Sequence, residues 1–194
     1  MRLFAVCLLA SAFLPSLSRA QDVPVFVIAP VQSSIKFDVE ASVAIKGTFD
    51  KWDATLTFTS PDVSTGVLDV KIQAATVDTG SGLKNGKLKG PDFFDAANNP
   101  LITFKSTKIS QTGPATFEVD GNFTIRGVTR PESLTLAVSG VGTGSGEIRG
   151  TLYFDRKDYG MNSGIPFIKI ANRVEVNVDL KGTRVSGPPL VLKQ

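Results

Sequence analysis

Apolar and polar residues alternate with a period of two along most of the chain, the signature of strands that bury one face. Residues 34–40, SIKFDVE, place Ile35, Phe37 and Val39 on one side and Lys36, Asp38 and Glu40 on the other. Residues 52–58, WDATLTF, do the same with Trp52, Ala54, Leu56 and Phe58, and residues 67–74 with Leu68, Val70, Ile72 and Ala74. Further along, the apolar sets are Ile102 and Phe104; Phe117, Val119, Gly121, Phe123 and Ile125; Leu134, Leu136 and Val138; Ile148, Gly150, Leu152 and Phe154; and Val174, Val176, Val178 and Leu180. Eight strands are predicted. Turn signals separate them at 60–62, 112–114, 126–131 and 140–146. Residues 79–100, TGSGLKNGKLKGPDFFDAANNP, have no such period, and one or two helical turns are expected there, near 83–88 and 91–94.

Eight strands with short connections predict an all-β antiparallel fold. Alternation alone leaves three architectures open. A closed up-and-down barrel has no free edges and holds a small ligand, a sandwich packs two inner faces dry, and an outer-membrane barrel turns its apolar face to lipid. The end of the chain, VLKQ after a Gly-Pro-rich stretch, and the absence of an aromatic girdle argue against the last.

The amino terminus sets the expected compartment. MRLFAVCLLASAFLPSLSRA combines Arg2, an apolar run from 3 to 14 and small residues at Ser18 and Ala20, which reads as a cleaved secretory leader over residues 1–20. The run is too short to span a bilayer, so no integral membrane protein is expected after cleavage. Cleavage removes Cys7, the only cysteine, and the chain holds no histidine. Together these exclude Ser-His-Asp and Cys-His catalysis and the usual zinc sites. Loss of Arg2 and Arg19 takes Lys+Arg from 21 to 19 against 18 acidic residues. The mature chain is thus close to neutral, and without a basic cluster it is not expected to bind nucleic acid.

Three segments in order, GPDFFDAANNPLITFKSTKI, VDGNFTIRGVTRPESLTL and FDRKDYGMN, resemble the YceI-like family of secreted bacterial proteins over roughly residues 30–182. The resemblance implies an eight-stranded antiparallel lipocalin-like barrel with a short helical insertion. It further implies an elongated cavity for a polyisoprenoid, an isoprenoid quinone or a fatty-acid-type chain, no defined catalytic activity, and the periplasm or extracellular space. The chain then divides into the leader, an N-terminal extension over 21–30, the barrel domain over 31–182 and a flexible tail over 183–194. Two positions depart from the family pattern. Gln32 stands where a histidine is common, and KNGKL at 84–88 replaces an Arg-Asp-x-His-Leu run.

On this reading the inward aromatics Phe37, Trp52, Phe58, Phe104, Phe123 and Phe154 line the cavity or pack the core. Tyr159, Met161 and Phe167 reach the ligand. The neighbours Phe93 and Phe94 either line the cavity or plug a dry gap, with Asp92 and Asp95 as caps and turn residues. Arg156 and Asp158 form a structural ion pair. Lys84 and Lys87 are the head-group candidates at a cationic mouth, or a solvated lysine face. No catalytic residue, metal site or cofactor is expected beyond a non-covalent isoprenoid or acyl lipid, and the pattern leaves a homodimer open. The expected function is a lipid carrier or store. The alternative is a dry structural or interaction module. A carboxylate hydrolase is disfavoured because the acids fall mainly on polar strand faces and in turns.

Overall fold

The computed structural model describes residues 23–42, 44–164 and 169–192. Among them, eleven strands form one curled antiparallel sheet. The strands are β1 (Val25–Ile28), β2 (Ser34–Ala41), β3 (Ile45–Phe49), β4 (Trp52–Thr57), β5 (Val67–Gln73), β6 (Val77–Asp78), β7 (Leu101–Gln111), β8 (Thr116–Ile125), β9 (Val128–Ser139), β10 (Ser145–Asp155) and β11 (Ile170–Ser186). One helix, α1 (Gly82–Lys89), lies between β6 and β7. The order is β4-β5-β7-β8-β9-β10-β11-β2-β3-β6, with β1 paired to β11 outside that path. The lipocalin-like barrel is therefore present with three more strands than expected. β1, β3 and β6 are additions, and β1 falls inside the segment read as an N-terminal extension.

β11 organises the wall. At 17 residues it is the longest strand, and it pairs β10 from Arg173 to Thr183. Its other edge is shared: Ile170–Asp179 pair β2 and Gly182–Ser186 pair β1. The strand thus runs past position 182, into the segment read as a tail. β1 lies alongside β4, where the Phe26 and Phe58 rings approach to 5.7 Å, so the sheet meets itself at this upper end. The lower end is covered by α1 and the turns that follow it, where Phe93 N–H donates to Gly90 O and Phe94 N–H to Leu88 O. Residues 91–94 are turns rather than helix.

Two local devices set the register. The β8–β9 hairpin turns on Arg126 (φ 54°) and Gly127 (φ 73°), the paired positive φ of a two-residue type I′ turn. The turn expected over 126–131 is only these two residues long. Pro131, within β9, pairs Asn122 of β8. It lies outside the stretch of β9 that pairs β10, so its missing N–H costs no ladder bond there. In β7, a bulge between Ser106 and Lys108 shifts the alternation by one residue and brings Ile109 back to the inner face. Ser106 stays inside, where its Oγ accepts from Leu68 N–H at 2.9 Å.

The apolar faces point inward. Ile35 and Leu180 are 1% exposed and Val119 0%, while Lys36, Lys46 and Lys105 on the other faces are exposed. This is opposite to the arrangement a lipid-facing barrel requires. No helix among the described residues is long and apolar enough to cross a membrane. The inward glycines do not leave open space. A Cβ on Gly121 would lie 2.6 Å from the Phe104 ring, one on Gly47 2.6 Å from Phe37, and one on Gly150 2.3 Å from Leu136 Cδ2. Large neighbours fill those positions. Gly150→Ala is therefore expected to lower the urea midpoint at unchanged m-value by about 1–3 kcal/mol of stability. Gly86→Ala, in α1 with nothing within 4 Å, is expected to raise it by about 0.4–1 kcal/mol.

Candidate functional site

Among the described residues, two apolar cavities of the barrel are separated by a packed layer. The larger, of about 190 Å³, lies at the upper end. Its floor is Leu68, Ile109, Phe117, Leu136, Ile148 and Leu180, and its sides are Phe26, Ile28, Leu56 and Phe58. Its rim comes from the Gly-rich β9–β10 connection at Gly140, Val141, Gly142 and Gly144, and from Pro189, Leu190 and Leu192 near the carboxyl end. Gly140, Gly142 and Gly144 all have φ between 74° and 85°, so this loop is shaped by conformations other residues resist. The carboxyl-terminal segment is held by Val191 N–H donating to Pro61 O at 2.8 Å. Among the described residues lining this cavity, the only charged one is Arg184.

The smaller cavity, of about 60 Å³, lies at the lower end. Phe37, Phe49, Phe93, Phe94, Phe123, Phe154 and Met161 are among its walls, and Arg156 is the only charged liner among the described residues. The Phe94 ring stands edge-on to Phe37 at 6.3 Å and tilted to Phe49 at 5.9 Å. Both Phe93 and Phe94 are buried, at 4% and 8% exposure. The layer between the cavities contains Ile35, Val70, Phe104, Val119, Leu134 and Leu152, all buried and lining neither. Among the described residues, the two cavities lie at opposite ends of the interior with this layer between them.

The residues expected at the site are dispersed. Phe58 alone lines the larger cavity; Phe37, Phe93, Phe94, Phe123, Phe154 and Met161 line the smaller. Trp52, Phe104 and Tyr159 line neither, and Phe167 lies outside the described residues. Lys84 and Lys87 also line neither cavity. Lys84 Nζ donates to Ala44 O at 3.3 Å, and Lys87 pairs with Asp92 and sits over the Phe93 ring. Asp92 also accepts from Ser163 Oγ at 3.1 Å, so it ties α1 to the β10–β11 connection instead of capping a helix. The Lys87 hydrogen bond, with help from Ser163, holds its carboxyl below the usual aspartate range. Asp95 is a turn residue at φ 48°.

Arg156 does not pair with Asp158. Its guanidinium donates to Ala171 O at 3.1 Å, to Ser163 O at 3.0 Å and to Met161 O, while Asp158 is exposed. A buried arginine is tolerated because three carbonyls receive its N–H groups. The upper-end liners were missed for definite reasons. Ile109 was hidden by the bulge. Ile28 and Phe26 sit in VFVI, which has no polar alternation. Arg184 interrupts the apolar period that would have extended β11.

Comparison with known proteins places these features. A YceI-like domain model matches residues 26–182. A UPF0312 protein of Vibrio cholerae is 28% identical over 189 residues, covering 94% of this chain and 97% of that one. The crystal structure of Burkholderia cenocepacia BcnA is similar at a TM-score of 0.72 with 24% identity, over 80% of this chain and 99% of that chain. A polyisoprenoid binding domain from Saccharophagus degradans, implicated in plant cell wall breakdown, is similar at a TM-score of 0.67 with 16% identity, over 83% and 99%.

Tyr159 holds the lower end. It is 0% exposed, its ring meets Phe123 and Phe154 edge-on, and its hydroxyl donates to Glu132 Oε1 at 2.8 Å. Burial first, and then the Glu132 hydrogen bond and charge, raise its pKa. The folded protein therefore keeps this proton where the unfolded chain has lost it. Stability is unaffected below the unfolded tyrosine value near 10 and falls as pH rises beyond it. Tyr159→Phe is expected to remove that alkaline component, read as the difference between wild-type and variant urea midpoints from pH 8 to 11.

Proposed function

This chain belongs to the YceI-like family, and from that membership we propose that it is a carrier or store for a long-chain amphiphile, an isoprenoid or acyl lipid, acting in the periplasm or extracellular space. The carrying observation is the larger cavity: about 190 Å³ of space walled mainly by apolar side chains and glycines, at the end of the barrel covered by a loop and the carboxyl-terminal segment. A dry module would have the packed middle layer but no need of that space. Binding of this kind works by area and requires no catalytic group, in keeping with a chain that has no histidine. The leader-like amino terminus supports the compartment, and the description of the Saccharophagus degradans domain as polyisoprenoid binding supports the ligand class.

Magnitude limits how the ligand sits. At about 30 Å³ for each water-sized group, the cavity takes about six such groups. At roughly 0.8 kcal/mol for each buried CH₂, that gives about 5 kcal/mol gross. Millimolar binding already requires about 4 kcal/mol net, and ordering the ligand subtracts from the gross figure. A chain end held only in this cavity therefore binds weakly. Useful affinity for a long chain requires the dividing layer, Phe104 with Val119 and Leu152, to yield and join the two compartments. Length selectivity then resides in that layer.

The test is a titration with the neutral apolar dye N-phenyl-1-naphthylamine. Wild-type protein is expected to enhance its fluorescence. Val138→Trp, which fills the larger cavity from β9, is expected to weaken binding by about tenfold or more, equivalent to at least 1.4 kcal/mol, while leaving the circular dichroism spectrum unchanged. An unchanged dye affinity in the variant, or no enhancement by the wild type, contradicts the reading.

A further inference from the structure

The inner face of β11 runs Val174, Val176, Val178, Leu180, Gly182 and then Arg184. In a strand, positions two apart share a face, so an arginine occupies a register position that the four preceding side chains devote to the core. It is set opposite Phe26 of β1, is half-buried, and lines the larger cavity. Its backbone N–H donates to Gly144 O at 2.7 Å, which fastens the Gly-rich rim to β11. Its Nη1 donates to the Gly187 carbonyl. Gly187 has φ +78°, and a Cβ there would lie 2.0 Å from Val23 O, so the turn that presents this carbonyl admits only glycine. The arginine is thus held by a built arrangement.

No carboxylate lies within ion-pair distance of Arg184 among the described residues. A guanidinium carries five N–H donors in a planar fork, of which the structure uses Nη1 toward Gly187. The other cations near the interior are engaged elsewhere. Arg156 is covered by three carbonyls at the far end, and Lys87 is paired with Asp92. A half-buried cation at the lip of an apolar cavity, with fork donors to spare, matches a planar or tetrahedral oxyanion.

We propose that Arg184 is the head-group residue of this protein and selects amphiphiles whose polar end is a carboxylate or a phosphate, held at the upper rim with the chain directed down into the barrel. This rests on the carrier reading and moves the polar end of the ligand from the lysines of α1 to the opposite end of the molecule.

The experiment is calorimetric titration of the full chain with three ten-carbon probes, decanoate, decyl phosphate and decan-1-ol, below their aggregation concentrations. Wild-type protein is expected to bind at least one of the two anions about tenfold tighter than the alcohol, in line with a charge-assisted hydrogen bond at a half-exposed site. The tighter anion identifies the head group. Arg184→Gln is expected to bind all three alike, at the wild-type affinity for decanol. Arg184→Lys, which keeps the charge without the fork, is expected to retain part of the preference. The preference is a ratio within each variant, so a general loss of stability does not imitate its loss. Equal wild-type binding of anions and alcohol, or an anion preference that survives in Arg184→Gln, overturns the assignment while the carrier reading stands. Binding of none of the probes overturns the assignment, while the dye titration decides the carrier reading.

Discussion

Each long strand of this protein has one apolar face, and the chief body available to bury it is the rest of the same sheet. That constraint shapes the wall. The sheet has to curl until its inner face meets itself, and the curl needs a strand long enough to serve both ends. β11 does this, with β10 along one edge and β2 and then β1 along the other. At the upper end β1 comes alongside β4; at the lower end the non-strand insertion supplies Leu88, Phe93 and Phe94 as a cover. Backbone hydrogen bonds fix the wall, and burial of the inner face drives its closure.

The two ends are built differently. Below, aromatic rings interlock, Tyr159 is hydrogen-bonded to Glu132, and Arg156 draws the carbonyls of residues 161, 163 and 171 together. Above, the cover is a loop with three left-handed glycines and a Pro-rich segment held by Val191 to Pro61. Opening the lower end would separate a buried arginine from its acceptors, which is costly. Opening the upper end separates few hydrogen bonds. The two ends thus differ in what holds them together, and the larger cavity lies at the end held by fewer of the described hydrogen bonds.

Period two was legible wherever an inward residue was large and its neighbours polar, which is why eight of the strands could be read from the chain. It failed where the physics filled the inner face otherwise. β3 carries Gly47 at an inward position because the Phe37 ring occupies that space. β1 reads as four apolar residues in a row because Val25 and Val27 face outward and stay exposed. The β7 bulge rephases Ile109, and Arg184 looks like the end of a strand when it is a charged member of the inner face. Alternation left barrel and sandwich open; the ordered DFFD, GVT and Arg-x-Asp-Tyr-Gly-Met segments, through the family they resemble, pointed to the barrel. The cavity positions were not legible, because inward glycines such as Gly121 and Gly150 sit against side chains of adjacent strands rather than against open space.

A lipid held at the upper end of the barrel should stay with the protein through a gentle purification. Native mass spectrometry of the protein purified without detergent, followed by organic extraction, looks for that lipid. A discrete added mass that leaves with the solvent as an isoprenoid or acyl chain is the predicted result. A bare protein mass that does not shift after incubation with polyprenyl lipids, quinones and fatty acids would contradict it.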